Sequence, residues 1–251
     1  MPDIQTEKIA LSTRDGICPC HVYHPTGNGP WPAVLVYMDG IGIRPAMLEV
    51  GERLAGYGYF AMLPDLFYRT GPYAPKNART VFVDPEQRKE HLEKFMPQLS
   101  AANIMSDTQA FLDYLDGRAD VQRGGIATTG YCRGGNLSLT AAGTYPERIV
   151  ACASYHGSRL ANDQPDSPHL LAPRIKARVY IGGASEDATF PDDMKQRLEQ
   201  ALTAAGVEHT IETYPAHHGW VLSDTLAYNA EAAERHWQTL TALLAETLKR
   251  A

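Results

Sequence analysis

The stretch that decides the fold covers residues 128–136 and is Thr128-Thr129-Gly130-Tyr131-Cys132-Arg133-Gly134-Gly135-Asn136. An apolar run with high β-propensity begins just before it, at 126–129, and a run typical of a helix follows at 137–145. This order predicts a strand, a sharp turn and a helix, with Cys132 at the centre of the turn. The flanking glycines lack Cβ atoms, so the strand and the helix can approach each other closely.

Cys132 is the candidate nucleophile. A thiolate at the N-terminus of a helix is stabilised by the positive end of the helix dipole. Two other interpretations stay open for the nonapeptide alone: a buried cysteine that only packs, and a glycine-rich turn that binds a nucleotide. A dinucleotide-binding turn is disfavoured, because no Gly-x-Gly-x-x-Gly follows the first strand. A nucleophilic Cys132 requires an acid and then a histidine later in the chain.

Composition narrows the class of protein. The chain has 251 residues, of which 44% are hydrophobic, and a formal net charge of -6. This length suits one large α/β domain, and the absence of a basic block excludes nucleic acid as an expected partner. No apolar run has the length of a membrane span, so no membrane association is expected. Residues 1–6 are polar and the chain has four cysteines, which together predict a cytoplasmic protein with free thiols.

Strand and helix patterns alternate along most of the chain. Strands are predicted at 7–12, 17–23, 33–38, 59–63, 126–129, 149–155, 177–181 and 208–214. A first helix is predicted after Gly42, ending at Gly56 or Gly58. Further helices are predicted at 84–96, 100–117, 137–145, 191–206 and 227–249. The pattern predicts an α/β fold: a mainly parallel central sheet with an N-terminal antiparallel hairpin and helices on both faces. Residues 66–98, an irregular loop followed by a polar helix, are the candidate for a lid-like segment.

Chemistry-bearing residues follow four of these strands. They are Asp39 with Gly40, Cys132, Asp187 and His218. Ligands of such sheets gather beyond the carboxyl ends of the parallel strands. The chain order nucleophile, acid, histidine is that of the α/β-hydrolases, so a single α/β-hydrolase domain over residues 1–251 is expected.

Each member of this set has a predicted role. His218 is the general base that takes the thiol proton of Cys132 and later protonates the leaving group. Asp187 orients the imidazole and stabilises its positive charge. The backbone N–H groups of Arg133 and Gly40 are expected to form the oxyanion hole.

Two of these assignments have neighbouring competitors. His217 precedes His218, and only one of the two can point into the site; Gly219 favours His218, because a glycine there lets the loop approach closely. Glu186 precedes Asp187, which is preferred because it falls within the strand–helix loop.

The chain resembles the dienelactone hydrolase family, the cysteine branch of the α/β-hydrolases. The matching stretches, in the family's order, are Pro64-Asp65-Leu66-Phe67-Tyr68-Arg69, Gly130-Tyr131-Cys132-Arg133-Gly134-Gly135, 182–187 with Pro191, and His218-Gly219-Trp220. The resemblance implies hydrolysis of lactones and esters through an acyl-cysteine intermediate, with no metal and no organic cofactor. It implies a small-molecule ester or lactone as the partner, and nothing in the sequence indicates an oligomeric state.

The resemblance also brings candidates for contact with the thiol and the substrate. In the type enzyme a glutamate after the third strand holds the resting thiol, and the corresponding residue here is Asp39. The substrate-binding arginine that the family has four residues after the catalytic histidine is replaced here by Leu222. Arg88 is the counterpart of a second substrate-binding arginine of the family. Dienelactone itself is therefore disfavoured as the natural substrate. The substrate-binding candidates are Tyr37, Arg69, Arg88, His156 and Trp220.

A second class of function fits the same residues. A redox-sensing or ligand-binding protein on the same scaffold would use the activated Cys132 without hydrolysis. A thioesterase or a general carboxylesterase is a closer variant of the hydrolase hypothesis.

Overall fold

The computed structural model describes residues 3–248. Residues 1–2 and 249–251 lie outside the described part, and with them Lys249, the predicted end of the last helix. Contacts divide the described residues into two compact units, residues 3–123 and residues 124–248. Within the described residues each unit contains four strands and three α-helices. The expectation of one domain stays a prediction.

The first unit begins with an antiparallel hairpin. Its elements are β1 (Ile4–Thr13), β2 (Gly16–Pro25), β3 (Ala33–Tyr37), α1 (Pro45–Gly56), β4 (Phe60–Pro64), α2 (Pro85–Lys94) and α3 (Ala101–Gly117). The strands lie in the order β1-β2-β4-β3. β1 pairs antiparallel with β2, β2 pairs antiparallel with β4, and β3 and β4 are parallel. The predicted hairpin is confirmed, and both of its strands are longer than the sequence pattern indicated.

Two helices of this unit begin where the capping residues predicted. The side chain of Asp84 accepts hydrogen bonds from the N–H groups of Glu86 and Gln87, with Pro85 in the first turn of α2. Ser100 accepts a hydrogen bond from the N–H of Asn103 at the start of α3. A short side-chain oxygen satisfies backbone donors that have no partner inside the helix, which is why these positions are recognisable from sequence.

The second unit is purely parallel in its strand pairing. Its elements are β5 (Ile126–Tyr131), α4 (Arg133–Thr144), β6 (Ile149–Tyr155), β7 (Arg178–Ala184), α5 (Asp192–Ala204), β8 (His209–Tyr214) and α6 (Ala230–Thr247). The strands lie in the order β5-β6-β7-β8, and each neighbouring pair is parallel. The α/β class with an N-terminal antiparallel hairpin is therefore confirmed. A 3-10 helix at Pro168–Arg174, which was predicted as loop, is an additional element.

Parallel pairing brings the carboxyl ends of β5 to β8 to one edge of the sheet. Cys132 follows β5 directly, His156 follows β6, Asp187 follows β7, and His218 follows β8. The sheet thus brings together side chains that are separated by up to 86 positions in sequence. No helix among the described residues 3–248 is long and apolar enough to cross a membrane.

The helix after Cys132 differs from its prediction. The sequence pattern places its start at Leu137, whereas α4 begins at Arg133, immediately after the turn. Gly134 and Gly135 have poor helix propensity, but their missing side chains let the first turn of α4 pack against the sheet. A Cβ on Gly135 would lie 2.9 Å from the Cα of Gly157. Tertiary packing therefore overrides the local propensity at this helix start.

Candidate active site

The turn between β5 and α4 holds Cys132 in a strained conformation. Its backbone has φ 53° and ψ −117°, which is outside the regions that L-residues usually occupy. Cys132 is partly exposed, whereas Cys18, Cys20 and Cys152 are buried. All four are free thiols. The one accessible thiol therefore lies at a helix N-terminus, where the dipole favours its charged form.

Backbone hydrogen bonds fix this turn on both sides. The carbonyl of Cys132 accepts from the N–H groups of Gly135 and Ser158, each at 3.1 Å. The N–H of Cys132 lies 3.1 Å from the carbonyl oxygen of Tyr155 and 3.1 Å from Nδ1 of His156. These bonds hold the strained residue in place, because they link it to the loop that follows β6.

Asp187 and His218 form a hydrogen-bonded pair. Oδ2 of Asp187 lies 2.7 Å from Nδ1 of His218. Oδ1 of Asp187 accepts from the N–H and the hydroxyl of Thr189, at 2.8 and 2.7 Å. The Asp187 side chain is 1% exposed and that of His218 is 28% exposed. The buried carboxylate is therefore fully hydrogen-bonded, and the imidazole keeps access to solvent.

The charges of this pair support each other. Burial acts to raise the pKa of Asp187, but the hydrogen bonds from His218 and Thr189 outweigh it and lower the pKa to about 2. Burial acts to lower the pKa of His218, but the thiolate of Cys132 and the carboxylate of Asp187 outweigh it and raise the pKa to about 10. Nδ1 of His218 faces Asp187, so Nε2 is the atom left for the hydrogen bond with Cys132. The charged form of the imidazole is therefore favoured beside the sulfur of Cys132.

The competing residues beside this pair lie in solvent. His217 and Glu186 are both exposed. The structure therefore brings Cys132, Asp187 and His218 together within the second unit.

The predicted contributors from the first unit have partners of their own. The two carboxylate oxygens of Asp39 bind the guanidinium of Arg44 at 2.8 and 2.9 Å, and both side chains are buried. Oδ1 of Asp39 also accepts from the N–H groups of Ile41 and Gly42. These hydrogen bonds show that the Asp39 carboxylate stabilises the loop that follows β3. Contact of Asp39 with the thiol of Cys132 stays a prediction.

Gly40 is held by a histidine of α2. Nε2 of His91 lies 2.5 Å from the carbonyl oxygen of Gly40, and the His91 ring stacks on Phe95 with 5.2 Å between ring centroids. Phe67 packs edge-on against both rings. This buried aromatic cluster anchors part of the segment 66–98, whose lid-like role stays a prediction. The role of the Gly40 N–H in the oxyanion hole likewise stays a prediction.

Two of the substrate-binding candidates occupy structural positions. Tyr37 is fully buried, and its hydroxyl lies 2.8 Å from the hydroxyl of Thr108. The guanidinium of Arg69 binds both carboxylate oxygens of the buried Asp107 at 2.7 Å and also reaches Asp15. These contacts stabilise the first unit and account for both residues without a ligand.

Arg88, Trp220 and Leu222 differ in their exposure. Arg88 is exposed on α2. Trp220 is fully buried, and its ring stacks on Tyr214 with 4.9 Å between centroids. Leu222 is 2% exposed, so an apolar side chain occupies the position at which the resemblance led us to expect an arginine.

The structure adds Thr189 to the candidate site, which sequence reasoning missed. A threonine two residues after an aspartate is a local motif in which the backbone N–H bonds the carboxylate. That signal was present in Asp187-Ala188-Thr189. The sequence also did not predict that Arg44 binds Asp39 or that His91 binds the carbonyl of Gly40. Neither pair has a sequence separation that forms a recognisable motif.

One cluster has the composition of a metal site. Ligand atoms of Glu7, His24 and Asp120 lie within 4.8 Å of one another. The guanidinium of Arg118 already binds Glu7 at 2.8 Å and Asp120 at 2.6 Å. A cation therefore neutralises these carboxylates, and the cluster does not fit a metal ion.

Comparison with known proteins identifies the family of the chain. The model of the "Dienelactone hydrolase family" matches residues 19–248. A Synechocystis sp. protein with the name "Putative carboxymethylenebutenolidase" is 28% identical, covering 98% of this chain and 99% of the relative. A Methylorubrum extorquens protein of the same name is 30% identical, covering 93% of this chain and 78% of the relative.

A solved structure establishes the fold. The crystal structure of a "Putative Dienelactone Hydrolase" from Klebsiella pneumoniae has a TM-score of 0.84 and 23% identity, covering 97% of this chain and 99% of that one. The expected α/β-hydrolase fold is thereby confirmed. Because the family model matches residues 19–248 of the 251-residue chain, the chain belongs to the dienelactone hydrolase family.

Proposed function

We propose that the chain hydrolyses a small lactone or carboxylic ester through an acyl-cysteine intermediate on Cys132. The observation that carries the proposal is the 2.7 Å hydrogen bond between the buried carboxylate of Asp187 and His218, whose pKa is raised by the neighbouring Cys132 on the strained turn. Membership of a hydrolase family supports the same reaction. A packing cysteine would need neither the accessible position nor the charged partner.

The first half of the reaction is acylation. Nε2 of His218 holds the proton that it has taken from the thiol, and the Cys132 sulfur attacks the carbonyl carbon of the substrate. Asp187 keeps the imidazole in the tautomer that accepts this proton and stabilises the resulting imidazolium. The tetrahedral intermediate collapses, the carbon–oxygen bond to the alcohol breaks, and His218 returns the proton to the leaving oxygen. For a lactone, the alcohol remains attached to the acyl group.

The second half releases the acid. His218 takes a proton from a water molecule, the resulting hydroxide attacks the thioester carbon, and Cys132 leaves as the thiolate. We propose the backbone N–H of Arg133, the first residue of α4, as one oxyanion donor, and on sequence grounds that of Gly40 as the other. Loss of one such donor typically costs about a hundredfold to a thousandfold in kcat.

The substrate class follows from the family and from one departure. Relatives carry the name carboxymethylenebutenolidase, which denotes action on an unsaturated lactone with a carboxylate. Leu222 is apolar and buried here and cannot bind a carboxylate. We therefore propose a lactone or ester whose recognition does not depend on an arginine at position 222.

A time course with p-nitrophenyl acetate and a simple enol lactone tests the proposal. We expect turnover by the wild type and none above background by Cys132→Ala. Cys152→Ala is the matched control, because it removes a thiol that is fully buried in the core. Activity that survives in Cys132→Ala would refute the acyl-cysteine mechanism. Stoichiometric oxidation of Cys132 without turnover would favour the redox-sensing alternative.

A further inference from the structure

His156 is a second histidine at the site, and its backbone is unusual. It is the first residue after β6 and has φ 40°, in the left-handed region that a residue with a side chain seldom adopts. Its N–H donates to the carbonyl of Gly182 at the end of β7, at 2.7 Å. The side chain is buried. A backbone held in this conformation in a buried place fixes the direction of the ring.

The ring contacts both halves of the proposed catalytic machinery. Nδ1 of His156 accepts from the backbone N–H of Cys132 at 3.1 Å and shares this donor with the carbonyl oxygen of Tyr155, also at 3.1 Å. The centroid of its ring is 5.1 Å from that of His218 and 5.0 Å from that of Trp220, edge to face in both cases. His156 thus packs between the turn that carries the thiol and the loop that carries the imidazole.

This geometry requires the neutral form of His156. A backbone N–H can only donate, so Nδ1 must offer its lone pair and the single ring proton must lie on Nε2. Nε2 is buried and has no hydrogen-bond partner. Burial and the nearby His218 and His236 hold the pKa of His156 well below its usual value, although Asp187 acts in the opposite direction.

We propose that His156 is a positioning residue, which as a neutral acceptor holds the Cys132 amide and aligns the His218 ring with the thiol. Only the expected effect of His156 on kcat rests on the proposed function. A charged ring at this place would lose the bond to Cys132 and would repel the imidazolium of His218. A neutral ring adds no positive charge to this junction, where the imidazolium of His218 and the guanidinium of Arg133 already act on Cys132.

Imidazole nitrogen NMR on the isotope-labelled wild type tests the protonation state directly. We expect Nδ1 of His156 to be unprotonated and Nε2 to be protonated at every pH at which the protein is folded. A proton on Nδ1, or titration of His156 at the usual histidine pKa, would overturn the proposal. This measurement does not depend on activity or on any variant.

Substitutions test the positioning role. His156→Phe keeps a flat ring and removes the acceptor, whereas His156→Asn keeps an acceptor and tolerates the left-handed backbone. We expect His156→Phe to lower kcat by about tenfold to a hundredfold with KM nearly unchanged, and His156→Asn to recover most of that loss. His209→Phe is the matched control, because His209 also bonds a backbone group but lies on β8 away from the thiol.

The pH dependence of iodoacetamide alkylation, followed by mass spectrometry, supplies a second readout. In a folded variant only Cys132 should react, because the other three thiols are buried. Reaction of all four thiols would show that His156→Phe is unfolded. In that case the NMR result on the wild type and the activity of His156→Asn test the proposal. We expect slower alkylation of Cys132 in His156→Phe. A folded His156→Phe variant with wild-type kinetics and wild-type alkylation would overturn the proposal. Equal loss of kcat in His156→Asn and His156→Phe would also overturn it. A wild type without esterase activity would refute the proposed function, while alkylation and NMR would still decide the role of His156.

Discussion

Substitution of Asp187 by asparagine should impair the enzyme more than substitution by alanine. Thr189 donates two hydrogen bonds to Oδ1 of Asp187, from its N–H and its hydroxyl. An asparagine at this position must therefore turn its carbonyl oxygen towards Thr189 and its NH₂ group towards His218. The NH₂ group would donate to Nδ1 of His218 and force the ring proton onto Nε2. That tautomer cannot accept the proton of the Cys132 thiol.

The size of the loss follows from the carboxyl pKa. A pKa of about 2, against an ordinary 3.8, means that the surroundings stabilise the Asp187 carboxylate by about 2.5 kcal/mol. Thr189 supplies part of the favourable interaction and burial opposes it, so the net shift sets only the order of magnitude for the share of the imidazolium, roughly tenfold to sixtyfold in rate. We expect Asp187→Ala to lower kcat/KM by about that factor. The wrong tautomer should bring the loss in Asp187→Asn to about a thousandfold or more.

Esterase kinetics with an aryl ester, measured for both variants, checks this order. Glu186→Gln is the matched control, because it removes the neighbouring exposed carboxylate, and it should leave kcat/KM within about twofold. Activity of Asp187→Asn equal to or above that of Asp187→Ala would refute the tautomer argument. Equal activity of the wild type and both variants would show that Asp187 does not serve His218 at all.

Three further predictions use the same structure. The alkaline limb of kcat/KM should lie near pH 10, where the His218 imidazolium loses its proton, and a pH–rate profile should show it moving to lower pH in Asp187→Asn. The raised pKa of His218 stabilises the folded state fully below about pH 6.5, and this stabilisation is lost as pH rises to about 10. Thermal unfolding should show Tm falling over that interval, and the fall should be smaller in Cys132→Ala, because Cys132 contributes to the raised pKa. Gly135→Ala should lower the free energy of unfolding by about 1–3 kcal/mol, because its Cβ would meet Gly157. Gly117→Ala, with open space around it, should not destabilise the protein in urea unfolding.

Local signals in the chain were sufficient for most of the elements. Capping by Asp84 and Ser100 acts within three residues, so the starts of α2 and α3 follow from short-range hydrogen bonds. The continuous apolar run of β3 reflects burial on both faces. The start of α4 was predicted four residues late, because the close approach of Gly135 to Gly157 is a tertiary contact. The 3-10 helix at Pro168–Arg174 has no periodic pattern by which to recognise it.

Candidate residues for binding were harder to interpret than candidates for catalysis. An arginine or tyrosine in a loop has the same appearance in sequence whether it binds a ligand or a neighbouring side chain. The long-range partners of Arg69 and Tyr37, Asp107 and Thr108, are apparent only once the chain is folded. Cys132 is different, because the strand, glycine and helix signals that mark it as a candidate nucleophile immediately adjoin it in sequence.

The order of chemistry-bearing residues along the chain determined the class of fold and the family, because strand, turn and helix signals are local and the triad order is a property of the sequence. The pairing of Asp187 with His218 rather than of Glu186 with His217, the support from Thr189, and the neutral ring of His156 were decided only by tertiary structure. Hydrogen bonds and charge shifts depend on distances of a few ångströms and on burial. Both arise when parallel strands bring residues distant in sequence to one edge of a sheet.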